Sequence, residues 1–570
     1  MKKRRYMALI IPLFFTAVVI NLFSYFYTHW FNGETVSASV SYENIIDSRN
    51  YLEGTNIEVN VKSFGAEGDG LADDTAAVQN AFNEAETLKG TVLFPTGTYL
   101  INDNLLIPDI NIKGDQAVIL ISNSFKGTVS HELAIRNKNF WGNSADSFSV
   151  EGITFKMGTA AYGGTTLGLN GVENVKIKNC YFENSTYRNS STSLDLYSNC
   201  KNIIVENCVF DNQSDAPAGG VWVRSYTPDY NSENIVFKNC KFNNKKADEA
   251  IAVWGASGTV KNIWIRECEF NSYRGTNNPA HLITLGNNGT VENLYFENNI
   301  INADVIYNTV IKTNGDTNKN INILNNTINI ANQLSQSNPA IYLKTYDTKF
   351  EGNIINADST ITKAIVGSSA LRYKTIVNKN KFNLRGTCYA GSNVYMFSNN
   401  EINGLQLADN CQNVLNNNFI VNDLSQYTTE TLINYYDFTS PIYIKGNILT
   451  TSGSLVDGVI QFAGDSNGNA YLENNNFDTV RLTGSKNKAY LKGNIFNMSD
   501  LDNMDIVCNL FSGNSLNFQS SLPSSDNFRG NLPIGTILHS TSGNEIGWVK
   551  VSFGKPGTWI TIPQIIKRYR

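Results

Sequence analysis

Acidic, basic and imidazole side chains are spread between positions 195 and 312, namely Asp195, the pair Asp248-Glu249, His281 and Lys312. Hydrolysis of a glycosidic bond needs one carboxylic acid to protonate the leaving oxygen and a second carboxylate to activate water, about 6.5–9.5 Å apart in an inverting enzyme. We predict Asp248 or Glu249 as the acid and Asp195 as its partner. His281 would tune the acid or contact the substrate, and Lys312 would anchor the substrate.

The same stretch holds the residues that we predict to contact a sugar: Trp222, Arg224, Tyr226, Trp254 and Tyr273. Aromatic rings of Trp and Tyr combine a flat apolar surface with one polar group, so they suit sugar rings. In the alternative chemistry of a lyase, Lys312 or Arg224 would abstract the proton next to a uronate carboxylate. The outward charges also fit an ordinary solvated surface, and the aromatic rings could simply cover a coil.

Short repeated strands must position these residues. The phrase NVKIKNCYF at 174–182 alternates apolar and polar residues on both sides of Asn179. It returns as NIIVENCVF at 202–210, NIVFKNCKF at 234–242 and NIWIRECEF at 262–270, and weaker copies continue to Asn514. A period of about 26 residues indicates a solenoid. Two short strands joined by a bend in each repeat predict one coil of a parallel β-helix, with its binding groove along one outward sheet.

The residue in the middle of each copy is Asn or Gly in nearly every case, with Glu267 and Lys379 as exceptions. Asn and Gly tolerate a left-handed backbone best, so we predict a left-handed bend there. The next residue is Cys180, Cys208, Cys240 and Cys268 in successive copies. We predict a stack of free, buried thiols, because side chains at one position of successive coils point the same way. The sequence has no CxxC pair or Cys/His cluster, so no zinc site is expected.

Residues 59–101 predict a cap for the first coil. Gly68-Asp69-Gly70 is a turn signal, Asp73 or Asp74 can cap a helix that runs to about Leu88, and a strand resumes at 91–94. This stretch resembles the N-terminal region of the pectate lyase superfamily of right-handed parallel β-helix proteins. The resemblance implies the fold. It does not fix the chemistry, because the superfamily contains polygalacturonases, lyases, epimerases and phage tailspikes.

A second resemblance covers residues 195–312. The order of acidic, histidine and lysine strands looks like a degraded polygalacturonase-type glycoside hydrolase pattern, which has an aspartate strand, an Asp-Asp pair, Gly-His-Gly and Arg-x-Lys. Here Asp248-Glu249 replaces the acidic pair, Ala280 and Leu282 replace the glycines, and Val310 stands at the arginine position. Loss of that arginine removes the planar fork that suits a carboxylate, which argues against galacturonate as the substrate.

Composition and the chain ends complete the domain prediction. A net charge of -5 with 17% charged residues gives no basic surface for nucleic acid. Four basic residues at 2–5 precede an apolar run to about Tyr27, so we predict a transmembrane signal anchor or a signal peptide at 1–31. A linker at 32–56, a β-helix domain at 57–519 and a small C-terminal β module or cap at 520–570 follow.

These observations predict an all-β protein whose bulk lies outside the cytoplasm, anchored at the cell surface or secreted if the N-terminal segment is cleaved. Its predicted function is degradation of an extracellular polysaccharide, as a glycoside hydrolase. The alternatives are a non-catalytic glycan-binding or adhesive rod and a polysaccharide lyase or epimerase. No cofactor or metal is expected, apart from calcium in the case of a lyase. The expected partners are a polysaccharide and, through the N-terminal segment, a membrane.

Overall fold

The computed structural model describes residues 57–562 with gaps at 126–132, 143–145, 159–163, 185–191, 214–218, 245–248, 274–280, 306–307, 333–337, 359, 369–373, 386–387, 404–405, 422–430, 437–440, 452–458, 464–468, 485–487, 503–504, 508–513, 519–521, 524–531, 533, 535, 541–546 and 555–556. The predicted anchor or signal peptide, the predicted linker and Asp248 lie outside the described residues. In the described ranges, no helix is both long and apolar enough to cross a membrane.

The chain forms a right-handed parallel β-helix, as the sequence predicted. Each coil contributes strands to three parallel sheets, and each strand pairs with the equivalent strand of the next coil. The first sheet holds the strands before the bend of the repeat, the second sheet holds those after it, and the third sheet holds the strands between copies. Inward side chains of all three sheets fill one continuous core.

The strands of the first sheet are Glu58–Asn60, Thr91–Phe94, Asn111–Ile121, Ser149–Met157, Glu173–Lys178, Lys201–Glu206, Asn231–Lys238, Thr259–Arg266, Thr290–Glu297, Lys319–Leu324, Asp347–Glu351, Lys374–Asn378, Met396–Ser398, Asn413–Leu415, Ile442–Lys445, Asn469–Glu473, Lys488–Lys492 and Asp505–Val507. Two of these, Asn111–Ile121 and Ser149–Met157, continue into the second sheet.

The other strands of the second sheet are Asp69–Asp73, Gly97–Ile101, Tyr181–Asn184, Val209–Asn212, Lys241–Asn244, Glu269–Tyr273, Ile300–Val305, Thr327–Ile330, Ile354–Ala357, Lys381–Leu384, Glu401–Asn403, Asn418–Val421, Ile448–Thr451, Asn476–Gly484, Ile495–Asp502 and Ser515–Phe518. Asn476–Gly484 also pairs with the last strand of the third sheet.

The third sheet consists of Leu105–Ile107, Ile135–Asn137, Thr165–Asn170, Thr192–Ser198, Gly219–Arg224, Ile251–Trp254, Ile283–Leu285, Ile311–Gly315, Ile341–Thr345, Lys363–Val366, Tyr389–Ser392, Gln406–Asp409, Thr431–Tyr436 and Val459–Ala463. This sheet carries the predicted catalytic residues Asp195 and Lys312, and Glu249 and His281 lie two residues before its strands Ile251–Trp254 and Ile283–Leu285.

The left-handed bend predicted between the first and second sheets is confirmed. Asn179 has φ 53°, and the equivalent residues Asn207 and Asn239 have φ of 53° and 52°. The two exceptions bend in the same way, since Glu267 has φ 56° and Lys379 has φ 54°. A side chain other than Asn or Gly is therefore accommodated where the surrounding ladder fixes the backbone.

The core changes its chemistry along the solenoid. The predicted thiol stack is confirmed, because Cys180, Cys208, Cys240 and Cys268 are free and buried. From Asn299 to Asn514 the same position holds buried asparagines whose amides form a ladder. For example, the Asn326 backbone N–H and side-chain Nδ2 both donate to Asn353 Oδ1, at 2.8 and 2.9 Å. These amides are satisfied by their neighbours, as buried polar groups must be.

The predicted cap helix spans Thr75–Leu88 and covers the first coil with Val78, Ala81, Phe82 and Ala85. Asp73 supplies the cap, since its Oδ1 accepts from the Thr75 N–H at 3.0 Å. The Asp74 side chain instead accepts from the backbone N–H groups of Glu67 and Gly68 at 2.7 and 3.2 Å. At the other end of the chain, Ile537–Ser540, Gly547–Lys550 and Trp559–Ile562 pair as antiparallel strands.

Candidate functional site

One outward register of the third sheet carries several of the predicted site residues. Asp195 pairs with Trp222, Trp222 with Ala252, Ala252 with Thr284, and Thr284 with Lys312. Successive strands lie about 4.8 Å apart, so Asp195 and Lys312 are separated by about 19 Å along the solenoid. The residues between these two form two distinct clusters.

The arginine cluster consists of Asp195, Tyr197, Trp222, Arg224 and Tyr226. The Arg224 guanidinium grips the Asp195 carboxylate with two nitrogens, with Nε at 3.0 Å from Oδ1 and Nη2 on Oδ2. Both residues are buried, with Asp195 1% and Arg224 5% exposed. Bidentate pairing with a carboxylate is the geometry that suits the planar guanidinium.

Three aromatic rings surround this ion pair. The Arg224 guanidinium carbon lies 4.4 Å from the centre of the Trp222 ring, 4.7 Å from Tyr226 and 5.5 Å from Tyr197. The Tyr226 hydroxyl accepts from Arg224 Nη1. Cation–π contacts and the ion pair together fix the guanidinium in place. Asp195 and Arg224 therefore hold each other, and neither presents an exposed charge.

The lysine cluster consists of Glu249, His281, Thr284 and Lys312. The Thr284 hydroxyl donates to Glu249 Oε1 at 2.7 Å, and both residues are buried. Lys312 Nζ lies 2.9 Å from His281 Nε2. Glu249 and His281 occupy equivalent places on neighbouring coils, because their strands pair through Ile251 and Ile283.

Burial determines the protonation of the lysine cluster. It lowers the pKa of His281 to about 4, and the positive charge of Lys312 adds to the shift. Burial also lowers the pKa of Lys312, while the Glu249 carboxylate opposes that change. His281 is therefore neutral at pH 7, and its Nε2 accepts a proton from the Lys312 ammonium group. A carboxyl, an amine and a neutral imidazole, all able to transfer protons, meet in one place.

The remaining predicted residues fall partly on this surface. Trp254 pairs in register with Arg224, and its ring stacks on Trp222 with a centroid separation of 5.7 Å. Trp222 can lie flat against the strand start because Gly219 has no Cβ, which would come within 2.6 Å of the indole nitrogen. Tyr273 lies apart, at the end of the second-sheet strand Glu269–Tyr273, and is 54% exposed. Asp248 belongs to a gap in the described residues.

Sequence reasoning missed Thr284 and Tyr197. Thr284 could have been found from the repeat, since it follows His281 by three residues as Ala252 follows Glu249. Tyr197 follows Asp195 by two residues, as Arg224 follows Trp222, but the ring contacts that give it a role depend on side-chain directions. Within the described ranges, no group of three or more His, Cys, Asp or Glu residues could hold a metal ion.

Comparison with known proteins identifies the first half of the fold. Residues 58–270 match the family model of rhamnogalacturonase A/epimerase, pectate lyase-like. A curated relative, the non-secreted LysM effector LysM19 of Penicillium expansum, is 41% identical over 51 residues. That match covers 9% of this chain, and the chain spans 4% of the relative's length.

Two solved structures are similar over most of this chain. An exopolygalacturonase from Thermotoga maritima is 11% identical, with 80% of this chain and 95% of that chain covered and a TM-score of 0.38. PfbA, a surface adhesin of Streptococcus pneumoniae, is 14% identical, with 89% and 99% covered and a TM-score of 0.33. The family match over residues 58–270 and the right-handed parallel β-helix together fit the pectate lyase-like superfamily that the N-terminal sequence resembles.

Proposed function

We propose that this protein acts on an extracellular polysaccharide and cleaves its glycosidic bonds by hydrolysis, in a groove along the third sheet. The observation that carries the proposal is the lysine cluster, where Glu249, His281 and Lys312 converge within two coils of the stacked Trp222 and Trp254. The matched family model, which is named for a rhamnogalacturonase and an epimerase, agrees with a polysaccharide as the substrate class.

Glu249 is the proton donor in this proposal. Its carboxyl proton passes to the glycosidic oxygen as the bond from that oxygen to the anomeric carbon breaks. Thr284 holds the Glu249 side chain in one orientation through its hydroxyl. A positioned carboxylic acid contributes a rate factor of about 10²–10⁴.

A second carboxylate must activate the water that attacks the anomeric carbon. Asp195 lies on a strand two coils from Glu249, about 10 Å along the solenoid, and is enclosed by Arg224. That arrangement favours a positioning role for Asp195. We assign water activation to Asp248, which precedes Glu249 in the sequence.

A second candidate reaction is proton abstraction from a uronate, as in a lyase or an epimerase. It is favoured by Lys312, since burial lowers its pKa and the neutral His281 receives its hydrogen bond. In a lyase the amine would take the proton next to the uronate carboxylate, and elimination of the glycosidic oxygen would leave an unsaturated sugar at the new end. An epimerase would return the proton to the opposite face without breaking the chain.

Product chemistry distinguishes these reactions. Protein from Ile57 onward would be incubated with a panel of neutral and uronate polysaccharides, with reducing ends and ultraviolet absorbance of unsaturated ends followed together. Hydrolysis predicts reducing ends without new absorbance, whereas a lyase produces both. Loss of release in Glu249→Gln but not in Glu269→Gln, a glutamate on the second sheet, supports the hydrolase. Binding of a polymer without any chemical change would instead favour a non-catalytic adhesive rod.

A further inference from the structure

An aromatic shelf lies beside the arginine cluster, on the side away from the lysine cluster. It is formed by Phe140, Trp141, Tyr197 and Tyr226. Tyr197 and Tyr226 stack face to face, with centroids 4.6 Å apart and planes inclined by 28°. Trp141 meets Tyr197 at 6.1 Å and Phe140 at 4.7 Å. Four rings from three separate segments of the chain thus form one continuous apolar surface.

The orientation of Trp141 differs from that of the tyrosines. Tyr197 and Tyr226 belong to neighbouring coils, so their stacking places their planes across the solenoid axis. The Trp141 plane is inclined by 76° to Tyr197 and by 77° to Phe140. Its indole plane therefore runs along the solenoid, parallel to the direction in which a bound polymer would extend over the third sheet.

Burial shows which side of the shelf is open. Phe140 is fully buried, whereas Trp141 is 54% exposed. A large aromatic ring half exposed to solvent and supported from below by a buried ring has no packing role on its outer side. The charge beneath the shelf is neutralised, because Arg224 is paired with Asp195. The open surface thus offers apolar contact to a ligand without a net charge to attract one.

We infer that Trp141 is a sugar-stacking platform, on which the apolar face of a pyranose ring of the polysaccharide packs before the chain reaches Glu249. The occupant follows from the chemistry, since a pyranose has an apolar C–H face and hydroxyl groups at its rim, which suit an indole bordered by tyrosine hydroxyl groups. Tyr197 lies two coils, about 10 Å, from the coil of Glu249, so several sugar residues would span the two places. This inference rests on the proposed function for its substrate class.

The test measures binding separately from cleavage. Affinity electrophoresis of the Glu249→Gln variant in gels containing a neutral galactan or polygalacturonate gives dissociation constants without turnover. Trp141→Ala in that background should weaken retention about 10-fold, and Trp141→Phe should restore most of it. Tyr346→Ala removes a ring that is 47% exposed on a more distant coil and should leave retention unchanged.

Salt gives a second readout for the same variants. Because the stacking surface carries no net charge, the Trp141→Ala effect should persist in about 1 M NaCl, where charge interactions are screened beyond about 3 Å. Equal retention of Trp141→Ala and the parent, or an effect that disappears in high salt, would overturn the inference. A Glu249→Gln variant that still cleaves while Trp141→Ala weakens binding would overturn only the proposed catalytic role.

Discussion

The arginine cluster and the lysine cluster lie on the same face of the same sheet, yet they differ in how completely their charges are satisfied. Arg224 and Asp195 are bound to each other in two-pronged fashion and enclosed by three rings. In the lysine cluster, burial leaves His281 neutral and lowers the pKa of Lys312. A repeated scaffold therefore supports a structural ion pair on one coil and proton-transferring groups a few coils further on.

This difference separates two kinds of predicted defect. Changes to the lysine cluster should reduce activity more than stability, whereas changes to the arginine cluster should reduce stability first. Each prediction below either reinforces that separation or removes it.

The largest expected effect is the loss of activity in Glu249→Gln. The amide cannot donate the acid proton, so kcat for reducing-end release should fall by about 10²–10⁴-fold. The melting temperature should stay close to that of the wild type, since an amide can still accept from Thr284. Steady-state kinetics on a polymer cleaved by the wild type provides the measurement, with Glu269→Gln as the control. A reduction below 10-fold would exclude Glu249 as the acid.

Breaking the buried ion pair should have the next largest effect, on the free energy of unfolding. Asp195→Leu or Arg224→Met leaves one charge buried without its partner, which costs about 3–5 kcal/mol. The double variant removes both charges and should be more stable than either single one. Thermal denaturation of the four proteins tests this expectation. A double variant whose loss equals the sum of the two single losses would show that the residues do not act as a pair.

The pH dependence of stability should report His281. Its folded pKa of about 4 lies below the model value of 6.5 for an unfolded histidine, so the unfolded chain binds more protons between these values. Stability from this group is complete above about pH 6.5 and is lost as the pH falls towards 4, by about 1–3 kcal/mol. Denaturation at several pH values should show a flatter profile for His281→Gln than for His539→Gln, a change in the C-terminal strands. Identical profiles would contradict the assignment.

The smallest expected effect is that of Thr284→Val. The variant keeps the shape of the side chain but loses the hydrogen bond to Glu249, worth about 1 kcal/mol. We expect kcat/KM to fall by up to about 10-fold and Thr284→Ser, which keeps the hydroxyl, to recover most of it. If the valine variant were as inactive as Glu249→Gln, Thr284 would have a chemical role beyond positioning.

Much of the fold was predictable because each coil repeats the same local instructions. The bend at Asn179 and its equivalents, the thiol stack and the cap helix all follow from residue types at fixed places in the repeat. The bend at Glu267 and Lys379 shows that neighbouring coils impose this geometry even on residues that do not favour it.

The candidate site was less predictable, because it depends on contacts between coils. The sequence places Asp195, Glu249, His281 and Lys312 in the right region, but it does not show that Arg224 encloses Asp195. Loop lengths vary from coil to coil, so the pairing of Lys312 with Thr284 and its contact with His281 required the three-dimensional register. The exposed face of Trp141 likewise depends on ring directions.

A crystal structure of the Glu249→Gln variant with an oligosaccharide from a cleaved polymer tests the central claim most directly. The account predicts the sugar chain along the third sheet, with one glycosidic oxygen within hydrogen-bonding distance of residue 249 and sugar rings near Trp222 and Trp254. An oligosaccharide bound to the first or second sheet, or to the C-terminal strands, with the third sheet empty, would contradict it.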